Sequence, residues 1–120
     1  MARATLRWAL LITVVVGLGA CSGSPATPPL GTYALASDTT ETLTLLDGGR
    51  FKHDIPLSDD HISGTWGPSQ TELSFTETSG GGCINIPGTY SWSYDGTTIH
   101  LTRVVDPCFV LNGYEWVRRP

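Results

Sequence analysis

The sequence predicts an all-β protein, a small antiparallel up-and-down barrel of about eight short strands. Three observations carry that prediction. Fourteen Gly and eight Pro against a single Met in 120 residues argue against a helical bundle. Short segments alternate apolar and polar residues at period two and are rich in Thr and aromatics, the pattern of half-buried strands. Gly- and Asp-containing turn signals separate those segments at even spacing, which favours a meander that closes on itself.

The elements follow in order. Gly-Thr-aromatic occurs three times, at 31–33, 64–66 and 88–90, and each copy opens a strand that a turn-rich stretch and a second alternating segment follow. The strands are expected at 32–36, 43–46, 50–55, 62–66, 71–76, 89–93, 97–103 and 114–118. Asp47-Gly48-Gly49, Gly67-Pro68-Ser69-Gln70 and Tyr94-Asp95-Gly96 supply turns, and Asp-Gly between alternating runs is a strong hairpin signal. Alternation also assigns faces. Tyr33, Leu35, Leu43, Leu45, Phe51, Trp66, Leu73, Phe75, Tyr90, Trp92, Ile99, Leu101 and Trp116 share the inward parity, while Thr42, Thr44, Glu72, Ser74, Thr98, His100 and Thr102 face water.

The amino terminus is of a different kind. A mean hydropathy of +0.00 averages two unlike parts, because residues 9–20 carry no charge while every acidic residue lies at Asp38 or later. Arg3 and Arg7 precede an apolar run of about ten residues and then small residues, the layout of a secretory signal. The run is too short to span a bilayer, which takes roughly 20 apolar residues. Leu18-Gly19-Ala20-Cys21 resembles the lipobox of bacterial lipoproteins. That resemblance implies diacylglyceryl transfer to the Cys21 thiol and cleavage before Cys21. It also implies a lipid anchor on the outer face of the cell membrane, or in the outer membrane of a host that has one. Two acyl chains give stable attachment where one holds marginally. The expected organisation is a signal peptide at 1–20, a Ser/Pro/Gly tether at 21–30 and a barrel domain at 31–120.

Removing the signal takes Arg3 and Arg7, which leaves five basic against eleven acidic residues and moves the formal charge from −4 to −6. Such a domain is a poor nucleic-acid binder, since that affinity is largely phosphate neutralisation. The three Cys then divide into the anchor and a pair, Cys83 and Cys108, that flanks one hairpin. In an exported domain the pair reads as a disulfide, with a metal site or a reactive thiol as the alternative.

The run from Gly88 to Cys108, ending Val104-Val105-Asp106-Pro107-Cys108, together with Trp116, resembles the end of small bacterial lipocalin-like (calycin-like) β-barrel domains. Leu45-Leu46-Asp47-Gly48-Gly49-Arg50-Phe51 and Gly64-Thr65-Trp66 are similar to their first hairpins. The resemblance spans about residues 31–118. It implies an extracytoplasmic barrel that holds a small apolar ligand, without catalytic residues to carry over. Trp66, Phe75, Tyr90 and Trp92 are the candidate ligand residues. Only about six or seven residues are available per strand, and the inward set is rich in rings, so a packed interior competes with an open cavity.

Other sites are weaker. His53 and Asp54 with Asp59, Asp60 and His61 form a polar cluster of the kind that binds a metal or moves protons. No His-x-His or Glu-x-x-His spacing supports a metal, Gly-x-Ser-x-Gly is absent, and Asp59-Asp60 are adjacent rather than opposed across a cleft. Neither enzyme chemistry nor a cofactor is expected. The expected function is a non-catalytic binding module of the cell envelope for a small apolar ligand. The alternative is an interaction or inhibitor module, for example against a protease or lysozyme, using loops 57–61, 79–82 or 109–113.

Overall fold

The structure is a computed structural model and describes residues 27–111 and 113–120. Eight antiparallel strands close into one barrel in sequence order: β1 (Gly31–Leu35), β2 (Asp38–Leu46), β3 (Arg50–Ile55), β4 (Asp60–Ser69), β5 (Glu72–Ser79), β6 (Gly88–Tyr94), β7 (Thr98–Val105) and β8 (Glu115–Arg118). Closure comes from the short β8, which pairs with β7 through Ile99↔Trp116 and with β1 through Leu35↔Trp116 and Tyr33↔Arg118. A closed meander leaves no unpaired sheet edge.

Turn chemistry sets the register. Gly48 and Gly49, at φ 74° and 72°, let β2 reverse into β3. The Asp95 carboxylate accepts from the Thr97 and Thr98 amides and stiffens the β6–β7 turn. Between β4 and β5 the reversal falls later than the expected 67–70. Gly67 and Pro68 remain in the ladder opposite Ser74 and Leu73, Ser69 pairs with Glu72, and the turn is Gln70-Thr71. The fixed φ of Pro suits an extended chain, so Pro68 ends no strand here, and Gln70 takes up the left-handed conformation (φ 62°) instead.

The inward parity holds. Of the thirteen residues assigned to it, all are buried except Trp92, which is half-buried and packs on the core. The centre is a run of rings: Phe51 meets Phe75 edge-on at 5.4 Å, Trp66 stacks on Phe75 at 6.3 Å, and Tyr90 meets Phe75 at 5.9 Å. Eight strands give a bore just wide enough for side chains to fill, and these rings occupy it. Gly64 makes room for them, since a methyl group there would overlap the Thr76 carbonyl and the Phe51 ring.

The connections fall at two ends. Turns 47–49, 70–71 and 95–97 lie at the near end, where the chain enters at Gly31 and leaves after Arg118. Connections 36–37, 56–59, 80–87 and 106–114 lie at the far end. Packing begins before Gly31: Pro28 is buried, the Tyr33 hydroxyl donates to the Pro29 carbonyl at 2.6 Å, and the Arg118 guanidinium donates to the Leu30 carbonyl at 3.1 Å. Residues 28–30, which composition assigns to the tether, therefore lie against the barrel.

Candidate binding face at the far end of the barrel

The loops singled out from sequence meet at the far end. In the β3–β4 hairpin a 3-10 turn, Pro56–Ser58, is closed by Asp59, whose left-handed conformation (φ 57°) lets its N–H donate to the Pro56 carbonyl at 3.1 Å. Leu57 at its apex is 90% exposed. The 80–87 loop packs directly on this hairpin, because Gly80 lies so close to the His61 carbonyl that a side chain would overlap it.

Two buried carboxylates hold the remaining loops. Glu77 accepts the Cys83 amide at 3.0 Å, while its own carbonyl accepts the Asn85 amide at 2.9 Å. Asp106 accepts the Val110 amide at 2.8 Å and the Tyr90 hydroxyl, and the Tyr90 oxygen in turn accepts the Leu111 amide at 3.1 Å. Burial, reinforced by the bond to Asp106, pushes the Tyr90 hydroxyl far above the ordinary phenol range, so it stays a donor. Val110 and Leu111 are thereby buried at the barrel mouth. Cys83 and Cys108 are joined across the two loops, with an S–S distance of 2.10 Å. The exposed apolar side chains here are Ile84, Ile86, Val104, Val105 and Phe109; Asn85 is exposed between the two Ile, and the Arg103 guanidinium lies 4.9 Å over the Phe109 ring.

The polar cluster expected around His53 divides in two. His53 turns inward, its Nε2 2.7 Å from Glu41 Oε2 and its ring edge-on to Trp116 at 5.6 Å. Both side chains are buried, and His53 Nδ1 has no hydrogen-bond partner among the described residues. His61 stays outside, with Nδ1 2.9 Å from Asp54 and Nε2 3.5 Å from Asp59, and the hydrogen bond to Asp54 raises its pKa above 6.5. His100 bridges Asp95 at 3.0 Å and Glu115 at 3.5 Å on the outer wall. Among the described residues no group of three or more His, Cys, Asp or Glu side chains is placed to hold a metal ion.

The candidate ligand residues mostly belong to the packed core. Phe75 and Tyr90 are core residues, and the Trp92 ring packs on the core. Trp66 is nearly buried and donates from Nε1 to the Leu46 carbonyl at 3.3 Å. Its edge reaches an open groove of about 470 Å³ at the near end, beside Pro28, Pro29, Leu30, Leu46 and Pro68. Cys21 lies outside the described residues. Glu41, Glu77 and Asp106 were not anticipated, although Glu41 shares the parity of Leu43 and Leu45, and Glu77 that of Leu73 and Phe75. Parity alone marks both as inward.

A scan of the chain against protein-family models finds no match, and searches of curated proteins and of solved structures return none.

Proposed function

We propose that this protein is a lipid-anchored, non-catalytic binding module of the bacterial envelope, and that it recognises a protein partner with the loops at its far end. The observation that carries the reading is the set of exposed apolar side chains on the 80–87 and 106–111 loops, held in place by the Cys83–Cys108 bond and by two buried carboxylates. Loops ordered before binding lose little entropy on association, and clustered exposed apolar residues mark interaction surfaces. The chain enters at the opposite end. A tether rising from lipidated Cys21 would therefore hold the near end toward the membrane and present the far end outward. Inhibition of a protease or lysozyme is one form such recognition takes.

Binding of a small apolar ligand is the second reading. It is favoured by the open groove beside Trp66 and not by the barrel interior, which Phe51, Phe75, Tyr90 and Trp116 fill.

Photo-crosslinking in the bacterial host tests the leading reading. A crosslinking amino acid at Phe109 or Ile86 is expected to capture one discrete protein, while the same residue at Thr44 on the barrel wall captures none. Equal labelling from all three positions would overturn it.

A further inference from the structure

We propose that the partner is a cationic protein segment and that Leu57 is the apolar knob that enters it. The inference rests on the interaction-module reading above. It begins from three facts about the far end.

First, Leu57 is 90% exposed, yet it is not on a loose loop: the Pro56–Ser58 turn and the Asp59 N–H bond to Pro56 fix the backbone that carries it. Second, the face is continuous. Gly80 packs against the His61 carbonyl and so joins the Leu57 hairpin to the 80–87 loop, and the disulfide joins that loop to Phe109. The segments that carry Leu57, Ile84, Ile86 and Phe109 are thus tied together at one end of the barrel. Third, its charge is acidic on balance. Asp38, Asp54, Asp59 and Asp60 lie at this end among the described residues, with His61 beside Asp54 and Asp59, against Arg103, whose guanidinium already sits on the Phe109 ring, and Arg119, whose guanidinium is bonded to the Thr39 carbonyl. Arg50 and Arg118 lie at the near end, Arg50 beside the 47–49 turn and Arg118 bonded to Leu30.

An apolar knob among carboxylates selects its occupant by chemistry. Polyanions and anionic membrane surfaces are repelled, and a second copy of this chain would set carboxylate against carboxylate. A protein segment with an apolar socket rimmed by Lys or Arg satisfies both features. Charge complementarity of this kind speeds encounter and fixes orientation, while the desolvated apolar anchor sets the dissociation rate.

The test uses the full chain in detergent micelles as bait for a random-peptide phage library. Enriched peptides are expected to combine Lys or Arg with an apolar residue and to bind more weakly as salt is raised. They should lose on the order of tenfold in affinity to Leu57→Asp, to Leu57→Ala and to the pair Asp59→Asn/Asp60→Asn. Leu57 is exposed, so its variants keep the parent unfolding curve, and the Asp pair provides a second route if one does not. Neutral or acidic winners would overturn the cationic partner. Basic winners that ignore the Leu57 variants but fail on Phe109→Asp would overturn the knob and leave the module reading standing. Winners indifferent to every far-end variant, or no winners at all, would overturn both.

Discussion

His53 Nε2 lies 2.7 Å from Glu41 Oε2 inside the barrel, with both side chains buried and Nδ1 of the same ring unpartnered among the described residues. A buried hydrogen bond adds little beyond apolar packing of the same volume, but removing one partner leaves the other's polar atom unsatisfied. Glu41→Ala is expected to cost about 1–3 kcal/mol of stability, and the double replacement Glu41→Leu/His53→Leu much less. Urea unfolding of the two variants decides: a double variant as damaged as the single one would show that the pair, and not the orphaned partner, carries the energy.

The disulfide gives a second prediction. It closes a sequence separation of 25 residues, for which chain entropy alone gives about 3.5 kcal/mol. The Cys83→Ser/Cys108→Ser variant should lose about that much by denaturant unfolding and should show faster amide exchange at Asn85 and Val110. Unchanged exchange at those amides would mean that Glu77 and Asp106 hold the loops unaided.

The surface histidines titrate in a stated direction. Hydrogen bonds to Asp54 and Asp95 raise His61 and His100 above 6.5, while the His100 bond and the Thr97 and Thr98 amides hold Asp95 below 3.8. A raised His favours the folded state below 6.5, and that contribution is lost as pH rises through its folded value. A depressed Asp contributes above 3.8 and loses it as pH falls. Both contributions coexist between about pH 4 and 6.5, and exposure keeps them small. NMR titration should place the His61 midpoint above 6.5 and return it toward 6.5 in Asp54→Asn. A midpoint below 6.5 in the parent chain would refute the pairing.

The lipid anchor is tested at its own residue. Cys21→Ala should accumulate as an uncleaved precursor that takes up no labelled palmitate. Incorporation of the label by that variant would remove the lipobox reading.

Most of the barrel was legible because strand parity is a local signal: alternation from Leu43 to Phe51 to Phe75 names the inner face without any knowledge of neighbours. The β4–β5 reversal was less legible, because Gly67-Pro68 reads as a turn locally while pairing with β5 keeps both residues extended. His53 was read with its sequence neighbours Asp54 and His61, although its parity is that of Phe51. The partner that decides its role, Glu41, lies one strand away. The far-end loops were legible as candidates, but their assembly was not, since Glu77 to Cys83 is a side-chain to backbone contact between β5 and the loop after it and Asp106 to Tyr90 spans the β6–β7 hairpin, and neither leaves a periodic signal in the sequence.

The central claim is that recognition takes place on the far-end loops and not inside the barrel. Intrinsic Trp fluorescence of the mature chain, which loses Trp8 with the signal, titrated with a panel of fatty acids, tests it most directly, because Trp66, Trp92 and Trp116 report from inside the barrel and from the near-end groove. The account predicts no saturable change for any member of the panel. A saturable quench or blue shift at a one-to-one ratio would contradict it and return the ligand site to the barrel interior or the near-end groove.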